Sequence, residues 1–369
     1  MFQVIDGSSG VTGVGLSGSY APSDVTFLLK PLKLEPTPIA QKEHYIQSGA
    51  KHYSEMISRE RAPSGAYWRV FDEAMARNLE RFSQHLLDLA TYLDEVTPSG
   101  EIVLVSLARA GTPVGVALTR LLRSRFNREV QHYSVSIIRD RGIDANALRF
   151  ILEHHEEGRI HFLDGWTGKG VIAGELQASV TDFNAAHNTN LPTQLLAVSD
   201  LCGSAAHSAT TRDYLIPSAI LGGVVSGLVS RSILNEQIGE DDCHGCVLWD
   251  ELAPFDRSRW FVERVEAVSR SLSPGEIRLE PDIDLFKTRR QYLDTLKEQH
   301  GIEDENLIKP GIGEATRVLL RRTPALVILR DVQHPDIAHL RVLAEEKGVH
   351  IEEDSAMPYE ALSLIRRLI

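Results

Sequence analysis

The sequence is short of several features that would narrow its function at once. Only three of its 369 residues are cysteine, an odd and small number, which is typical of a reduced, cytoplasmic protein rather than a disulfide framework. No hydrophobic run reaches the about 18 residues of a membrane span, and the first residues, MFQVIDGSSGVTG, do not resemble a secretory signal. Basic residues are outnumbered, 39 against 51 acidic, for a net charge of −12. This balance excludes a uniformly basic coat for duplex DNA but allows a local basic groove.

Length and composition predict a globular chain of two or three domains. Apolar residues make up 43% of the sequence, enough to bury a sizeable core. We place an N-terminal extension with packing helices in residues 1–95, a central domain in 96–282, and a helix plus a small unit in 283–369. Glycine- and serine-rich residues 1–20 are expected to be mobile, and residues 39–60 to be helical.

Strands and helices alternate through the central domain, which predicts an α/β fold with a parallel sheet. Apolar runs of strand length begin near Glu101, Gln131, Arg159 and Gln194, and a helical pattern follows each of the first three. A smaller α/β unit follows near the C-terminus. Its predicted elements are helix 313–322, strand 325–330, helix 334–347, strand 349–351 and a terminal helix 359–368.

The strongest site signal is the segment FLDGWTGKG at 162–170, after the third predicted strand. Ligands of such sheets bind beyond the carboxyl ends of the strands, where glycine lets backbone N–H groups converge on an anion. The segment is not a nucleotide-binding P-loop, because Gly170 follows the lysine. An ordinary glycine-rich turn remains the alternative to a sugar-phosphate site. The predicted binding residues are Asp164, Gly165, Thr167, Gly168, Lys169 and Gly170.

Two further segments are predicted to contact the same ligand. After the first strand, a loop suited to a diphosphate contains Ala108, Arg109, Ala110 and Gly111. After the second strand, Arg139 and Arg141 lie beside a glycine and are expected to close over the ligand and exclude water; a charged surface turn is the alternative.

These loops resemble those of the type I phosphoribosyltransferases, over roughly residues 100–235. More closely, the chain is similar to a stress-associated group of that family found with bacterial tellurium-resistance genes, through GSY at 18–20, DVTFLL at 24–29 and IRDRGI at 138–143. The resemblance implies a parallel sheet of the type that binds phosphoribosyl pyrophosphate (PRPP).

The activity implied by this resemblance is PRPP-dependent phosphoribosyl transfer to an unidentified base. Mg²⁺ would enter with PRPP, touching Asp164 only indirectly. The implied catalytic residues are Asp164, Arg109, Arg139 and Arg141. Gly165 stands where the family usually has a second acid, so a catalytically inactive, nucleotide-sensing RNA-binding protein is the alternative. A homodimer is left open.

Some members of the stress-associated group are labelled cysteine protease StiP, which makes proteolysis a third hypothesis. A protease needs a thiolate beside a base, and Cys202 with a distant histidine or Cys243 with His244 are the candidates. The segment CHGC at 243–246 supplies half of a zinc site, and the chain has no second cysteine pair, so zinc is not expected.

The segment KPGIGEATR at 309–317 resembles the start of the RNA-contacting helix in Pelota-type and kink-turn-binding ribosomal proteins. The resemblance implies a small α/β/α sandwich that binds structured RNA. Residues 301–369 contain 12 acidic and 9 basic residues, so a packing or regulatory domain is the alternative. The implied RNA-binding residues are Lys309, Gly311, Glu314, Arg317 and Arg321.

Overall fold

The structure of this protein is a computed structural model that describes residues 15–367, with the side chain of Arg321 left out. Most of the segment expected to be mobile, residues 1–14, lies outside the described residues. The strands are β1 (Gly15–Leu16), β2 (Thr26–Leu28), β3 (Lys30–Pro31), β4 (Glu101–Ala108), β5 (Glu129–Ile138), β6 (Gly142–Ile143), β7 (Ile160–Thr167), β8 (Leu195–Asp200), β9 (His207–Thr210), β10 (Gly245–Cys246), β11 (Ile308–Pro310), β12 (Pro324–Leu329), β13 (His350–Glu353) and β14 (Ala361–Ile365). The α-helices are α1 (Ile39–Gln47), α2 (Gly65–Val96), α3 (Thr112–Phe126), α4 (Ala145–His154), α5 (Val171–His187), α6 (Ser258–Ser269), α7 (Ile283–His300), α8 (Ile312–Arg321) and α9 (Ala338–Glu346).

The main sheet is mostly parallel, which confirms the predicted α/β class with a parallel central sheet. Strands β2, β5, β4, β7, β8 and β9 lie side by side in this order, and each neighbouring pair among them is parallel. β1 pairs antiparallel with β2, and β6 pairs antiparallel with β5. The N-terminal extension therefore contributes two strands to this sheet, β1 and β2, as well as helices. The loops after β4, β5, β7 and β8 all leave the same edge of the sheet.

Helices cover both faces of this sheet. The long helix α2 has buried apolar residues three or four positions apart, such as Phe71, Met75 and Leu79, and Ser64 caps its start by accepting the Tyr67 N–H. It packs with α3 and α6 on one face, and α4 and α5 cover the other. None of the helices in residues 15–367 has a stretch long and apolar enough to cross a membrane. Of the predicted helix 39–60, only α1 and one short turn at Tyr53–Glu55 form.

The C-terminal unit is a four-stranded mixed sheet in the order β11, β14, β12, β13. Leu326 and Ile328 pack on the side of α7, whereas Val327 and Leu329 belong to the cluster that includes α8 and α9. The predicted terminal helix 359–368 is wrong, because this segment forms β14 between β11 and β12. All five β14 residues are buried, so the strand has no polar face to mark its period of two.

The C-terminal unit docks on the rest of the chain through polar contacts. Asp213 accepts the backbone N–H groups of Ile312, at 3.0 Å, and Glu360, at 3.0 Å, and so caps the start of α8. On α2, Asn78 donates to the Asp336 carboxylate at 2.9 Å. These contacts hold the start of α8 against the carboxyl-end edge of the main sheet.

Candidate functional site

A cleft of about 890 Å³ opens between the carboxyl-end edge of the main sheet, the segment from α1 to α2, and the C-terminal unit. We call it the basic cleft, because ten basic residues and four acidic residues line it. In a chain of net charge −12, this is a local reversal of sign that favours an anionic ligand. The basic residues are Lys42, Lys51, Arg109, Arg139, Arg141, Lys169, Arg231, Lys309, Arg317 and Arg322, and the acidic residues are Glu55, Asp164, Asp304 and Glu314.

The end of β7 lines the floor of the cleft. The strand runs three residues past the predicted end at Asp164, to Thr167, so Asp164 and Trp166 point to one face. Both line the cleft. The Thr167 side chain is buried, and its hydroxyl donates to Asp200. Thr167 also lines the cleft, so the expected ligand contact from its hydroxyl stays a prediction, with Asp200 as its present partner.

Asp164 is a titratable group poised near neutral pH. Burial raises the pKa of its carboxyl to about 7. The Gly165 N–H, which donates to the carboxylate at 2.7 Å, and the nearby Arg317 guanidinium both act in the opposite direction and lower the pKa, but burial has the larger effect. A carboxyl of this kind can hold or release a proton at physiological pH, and an anion that binds beside it favours the protonated form.

The glycine segment after β7 lies beneath the C-terminal unit. The Tyr359 hydroxyl donates to the Gly168 carbonyl at 3.3 Å, and a Cβ on Gly168 would come within 3.3 Å of the Pro310 carbonyl oxygen. Gly170 has φ +80° and begins α5, a conformation that favours glycine. Lys169 donates to the Glu305 carbonyl at 2.6 Å, and burial together with the neighbouring Lys309 lowers the pKa of Lys169 to about 8.

The loop after β4 also reaches the cleft, but its arginine is held by protein groups. Arg109 donates to the Val229 carbonyl at 3.0 Å and to the Glu60 carboxylate at 3.0 Å. Ala108 and Ala110 line the cleft. Gly111 starts α3 so close to β7 that a Cβ would lie 2.8 Å from the Leu163 carbonyl oxygen, which explains the glycine by packing.

Arg139 and Arg141, after β5, line the same cleft, as expected from their position at the strand end. Arg139 donates to Asn306 of the C-terminal unit, and its guanidinium lies 5.3 Å from the Tyr53 ring centroid. Arg141 donates to the Glu55 carboxylate at 2.6 Å. Both side chains are therefore anchored in this structure.

The predicted RNA-binding residues face the main sheet rather than an open surface. Arg317 stacks 4.6 Å from the Trp166 ring centroid and pairs with Glu314 at 2.8 Å. Burial would raise the pKa of Glu314, but Arg317 and Lys309 hold it below its usual range. The Gly311 N–H donates to the Ala361 carbonyl at 2.8 Å, so this amide is already used within the fold. The side chain of Arg321 lies outside what the structure describes.

None of the three cysteines lines the cleft, although Cys202 contacts the lining residue Thr167. Cys202 follows β8, with its Sγ 3.1 Å from the Ser204 hydroxyl and 3.3 Å from that of Thr167. Burial and the nearby Asp200 raise the pKa of this thiol. Cys243 and Cys246 pack into different hydrophobic clusters, on opposite faces of the main sheet, and burial raises both pKa values. Among residues 15–367, no group of three or more His, Cys, Asp or Glu side chains is placed to hold a metal ion. The Mg²⁺ expectation stays a prediction.

Sequence reasoning missed several cleft residues. His52 accepts the Ser54 N–H at Nδ1, so its neutral ring carries the proton on Nε2, which has no partner among the described groups. Burial, Arg141 and Arg139 lower the pKa of His52. Arg231 contacts the same segment, since it donates to the Tyr53 carbonyl at 2.7 Å. These residues lie in irregular segments without periodicity, so no pattern marked them.

Comparison with known proteins divides the chain in two. Residues 18–266 match the family described as tellurite-like stress resistance cysteine protease StiP, and residues 287–367 match the PELOTA RNA-binding domain. A protein of Acinetobacter baylyi, "Cysteine protease StiP", is 41% identical over 371 residues, covering 96% of this chain and 95% of the relative.

Two solved structures are only distantly similar. A hypoxanthine phosphoribosyltransferase from Trypanosoma cruzi, complexed with IMP, has 12% sequence identity and a TM-score of 0.27, and the match covers 52% of this chain and 92% of the phosphoribosyltransferase chain. An aminotransferase from Eubacterium rectale has 10% identity and a TM-score of 0.23, covering 89% of this chain and 82% of its own. Neither TM-score is high enough to support an argument about function.

These findings correct one expectation. PRPP-dependent phosphoribosyl transfer is overturned, because the family model and the close relative both name a cysteine protease and neither names a phosphoribosyltransferase. The stress-associated grouping and the Pelota-type resemblance are confirmed by the same comparisons. The site residues themselves stay predictions.

Proposed function

This chain belongs to the StiP family of stress-resistance proteins, and on that premise we propose that it binds RNA in the basic cleft. The observation that carries the proposal is that the region matching the PELOTA RNA-binding domain supplies Lys309, Arg317 and Arg322 to the same cleft as Lys169 and Arg139 of the main sheet. Phosphate groups of a polynucleotide are anions suited to a cleft that holds several cations.

The stacked pair in the cleft fits the same ligand. The Arg317 guanidinium lies over the Trp166 ring, 4.6 Å from its centroid, and a guanidinium held in this way can still donate from its edge to a phosphate. The C-terminal unit has few exposed aromatic rings for reading single bases, so recognition of RNA shape and backbone is favoured over a sequence code.

The test is fluorescence anisotropy with the full chain, a labelled RNA hairpin and a DNA hairpin of the same sequence. We expect salt-sensitive RNA binding, with K309E and R317E each weakening it about tenfold or more. Removing one phosphate-binding cation should lower the slope of log affinity against log salt by about 0.7–0.9.

A matched charge reversal away from the cleft is the control. Arg270 follows α6, its side chain is 71% exposed and lies outside the cleft lining, and its guanidinium pairs with Glu266 of that helix at 3.3 Å. R270E changes the net charge by the same amount and should leave RNA affinity within about twofold. Equal losses in R270E and R317E would show that overall charge, not the cleft, governs binding.

The family name supports a second candidate function, peptide hydrolysis at Cys202. Cys202 follows β8 at the carboxyl-end edge of the sheet, where active sites of such folds lie. Its thiol contacts hydroxyls and a carboxylate rather than an imidazole, so catalysis needs a rearrangement that brings a base to Sγ.

Peptidase activity is tested on a fluorogenic peptide library and casein, with C202A compared with C243A. Activity that C202A and iodoacetamide abolish, and that C243A retains, would establish the second candidate. Absence of cleavage by the wild-type protein, with RNA binding intact, would reject it.

A further inference from the structure

Two carboxylates from one segment of the chain pair with arginines of the basic cleft. In residues 52–60, between α1 and α2, Glu55 pairs with Arg141 at 2.6 Å and Glu60 pairs with Arg109 at 3.0 Å. The second pair is well shielded from water, since the Arg109 and Glu60 side chains are 11% and 16% exposed. The other Glu60 oxygen lies 3.5 Å from the Gly223 N–H. Each carboxylate therefore occupies a position in which protein N–H donors surround an anionic group.

The same segment holds two further arginines of the cleft. The Tyr53 hydroxyl accepts the Arg139 N–H at 2.9 Å, and the Arg139 guanidinium lies over the Tyr53 ring. Arg231 donates to the backbone carbonyl oxygens of Tyr53 and Met56. Met56 and Ile57 are buried and anchor the middle of the segment, whereas the two glutamates lie on either side of this anchor.

We propose that Glu55 and Glu60 occupy two anion subsites of the basic cleft, and that two phosphate groups of a ligand take their places. This inference rests on the proposed function only in that the cleft takes a phosphate-bearing ligand. The first subsite consists of Arg109 with the Gly223 N–H, and the second of Arg141.

The energetics follow from competition. An arginine that pairs with an internal carboxylate must give it up before it binds a ligand, so the measured affinity equals the intrinsic affinity multiplied by the fraction of molecules with the carboxylate displaced. Replacing glutamate by glutamine keeps a neutral hydrogen-bond acceptor of the same shape but removes the charge that competes. The affinity for phosphates should therefore rise.

The experiment measures binding of inorganic tripolyphosphate by calorimetry to the wild-type protein and to E55Q, E60Q and the double variant. We expect the double variant to bind about tenfold more tightly than the wild type. The control is E251Q, because Glu251 pairs at 3.7 Å with Arg59, an arginine of the same segment that does not line the cleft, and its side chain is 43% exposed. E251Q should bind like the wild type.

Hydrogen exchange tests the same inference on the wild-type protein, so the result does not depend on whether a variant folds. Tripolyphosphate should make the Glu55 and Leu234 amides, which donate to the His52 and Ser54 carbonyl oxygens at 3.1 and 2.9 Å, exchange faster, the opposite of ordinary protection by a ligand. Unchanged tripolyphosphate affinity in the double variant, or slower exchange of the Glu55 and Leu234 amides, would overturn the inference. If the double variant shows unchanged tripolyphosphate affinity while RNA binding depends on the cleft residues, the inference is overturned and the proposed function is not. Tighter tripolyphosphate binding with no RNA binding would support it and reject the RNA proposal.

Discussion

Replacing Asp164 by asparagine should remove part of the pH dependence of stability. Burial raises the pKa of this carboxyl to about 7, against about 3.9 in an unfolded chain. Because the folded pKa is the higher one, the contribution to stability is fully present below pH 4 and is lost as the pH rises through 7. Three pKa units correspond to about 4 kcal/mol for a fully buried group, and we expect about 2 kcal/mol because Asp164 is only half-buried.

The assay is urea unfolding of the wild-type protein and D164N at pH 4.5, 6 and 8. Asparagine retains the oxygen that accepts the Gly165 N–H, so the two proteins should differ little at pH 4.5. At pH 8, D164N should be the more stable, by about 2 kcal/mol. The pKa of Asp213 is also raised, by burial, to about 6, but this contribution is common to both proteins and cancels.

Binding gives a second measurement on the same variant. At pH 8 the ionised Asp164 repels phosphate groups in the cleft, so D164N should bind the RNA hairpin more tightly than the wild type, with the difference vanishing near pH 5.5. The control is D182N, on the exposed face of α5. Identical pH profiles of stability in wild type and D164N would refute the reasoning.

Two further predictions concern packing. Gly115→Ala should lower the free energy of unfolding by about 1–3 kcal/mol, because the added Cβ would lie 2.2 Å from Nε2 of the buried His132. The control in the same urea assay is Gly174→Ala on α5, where the added Cβ has open space and should not destabilise the protein. Asp213→Ala should lower the free energy of unfolding by about 1–3 kcal/mol, because the Ile312 N–H loses its acceptor. The loss should appear as faster hydrogen exchange at the start of α8, and unchanged exchange there would contradict the role of Asp213 in docking the C-terminal unit.

The main sheet was predictable because its central strands are continuous apolar runs with helices between them. β4 and β8 show this pattern in the sequence, since almost every one of their residues is buried. β14 was mistaken for a helix because five apolar and small residues in a row carry no period that separates a strand from a buried helix. The extension of β7 to Thr167 was hidden by its glycine, which locally reads as a turn.

The candidate site was predictable only in part. The parallel topology placed the loops containing Arg109, Arg139 and Asp164 at one edge, and the structure brings all three to one cleft. The partners of these residues could not be foreseen. Glu55 and Glu60 lie in an irregular segment whose position depends on tertiary packing, and no local pattern indicates which arginine a distant carboxylate will meet.

The position of β14 in its sheet has a consequence for synthesis on the ribosome. It is the last described strand in the chain, yet it lies between β11 and β12, and it carries the acceptor for the Gly311 N–H at the start of α8. During translation, β11 and β12 cannot be joined in one sheet until residues 361–365 have been made and β14 has paired between them. The wall of the basic cleft that carries Lys309 and Arg317 is therefore completed only after residues 361–365 have been made, later than the other described parts of the cleft.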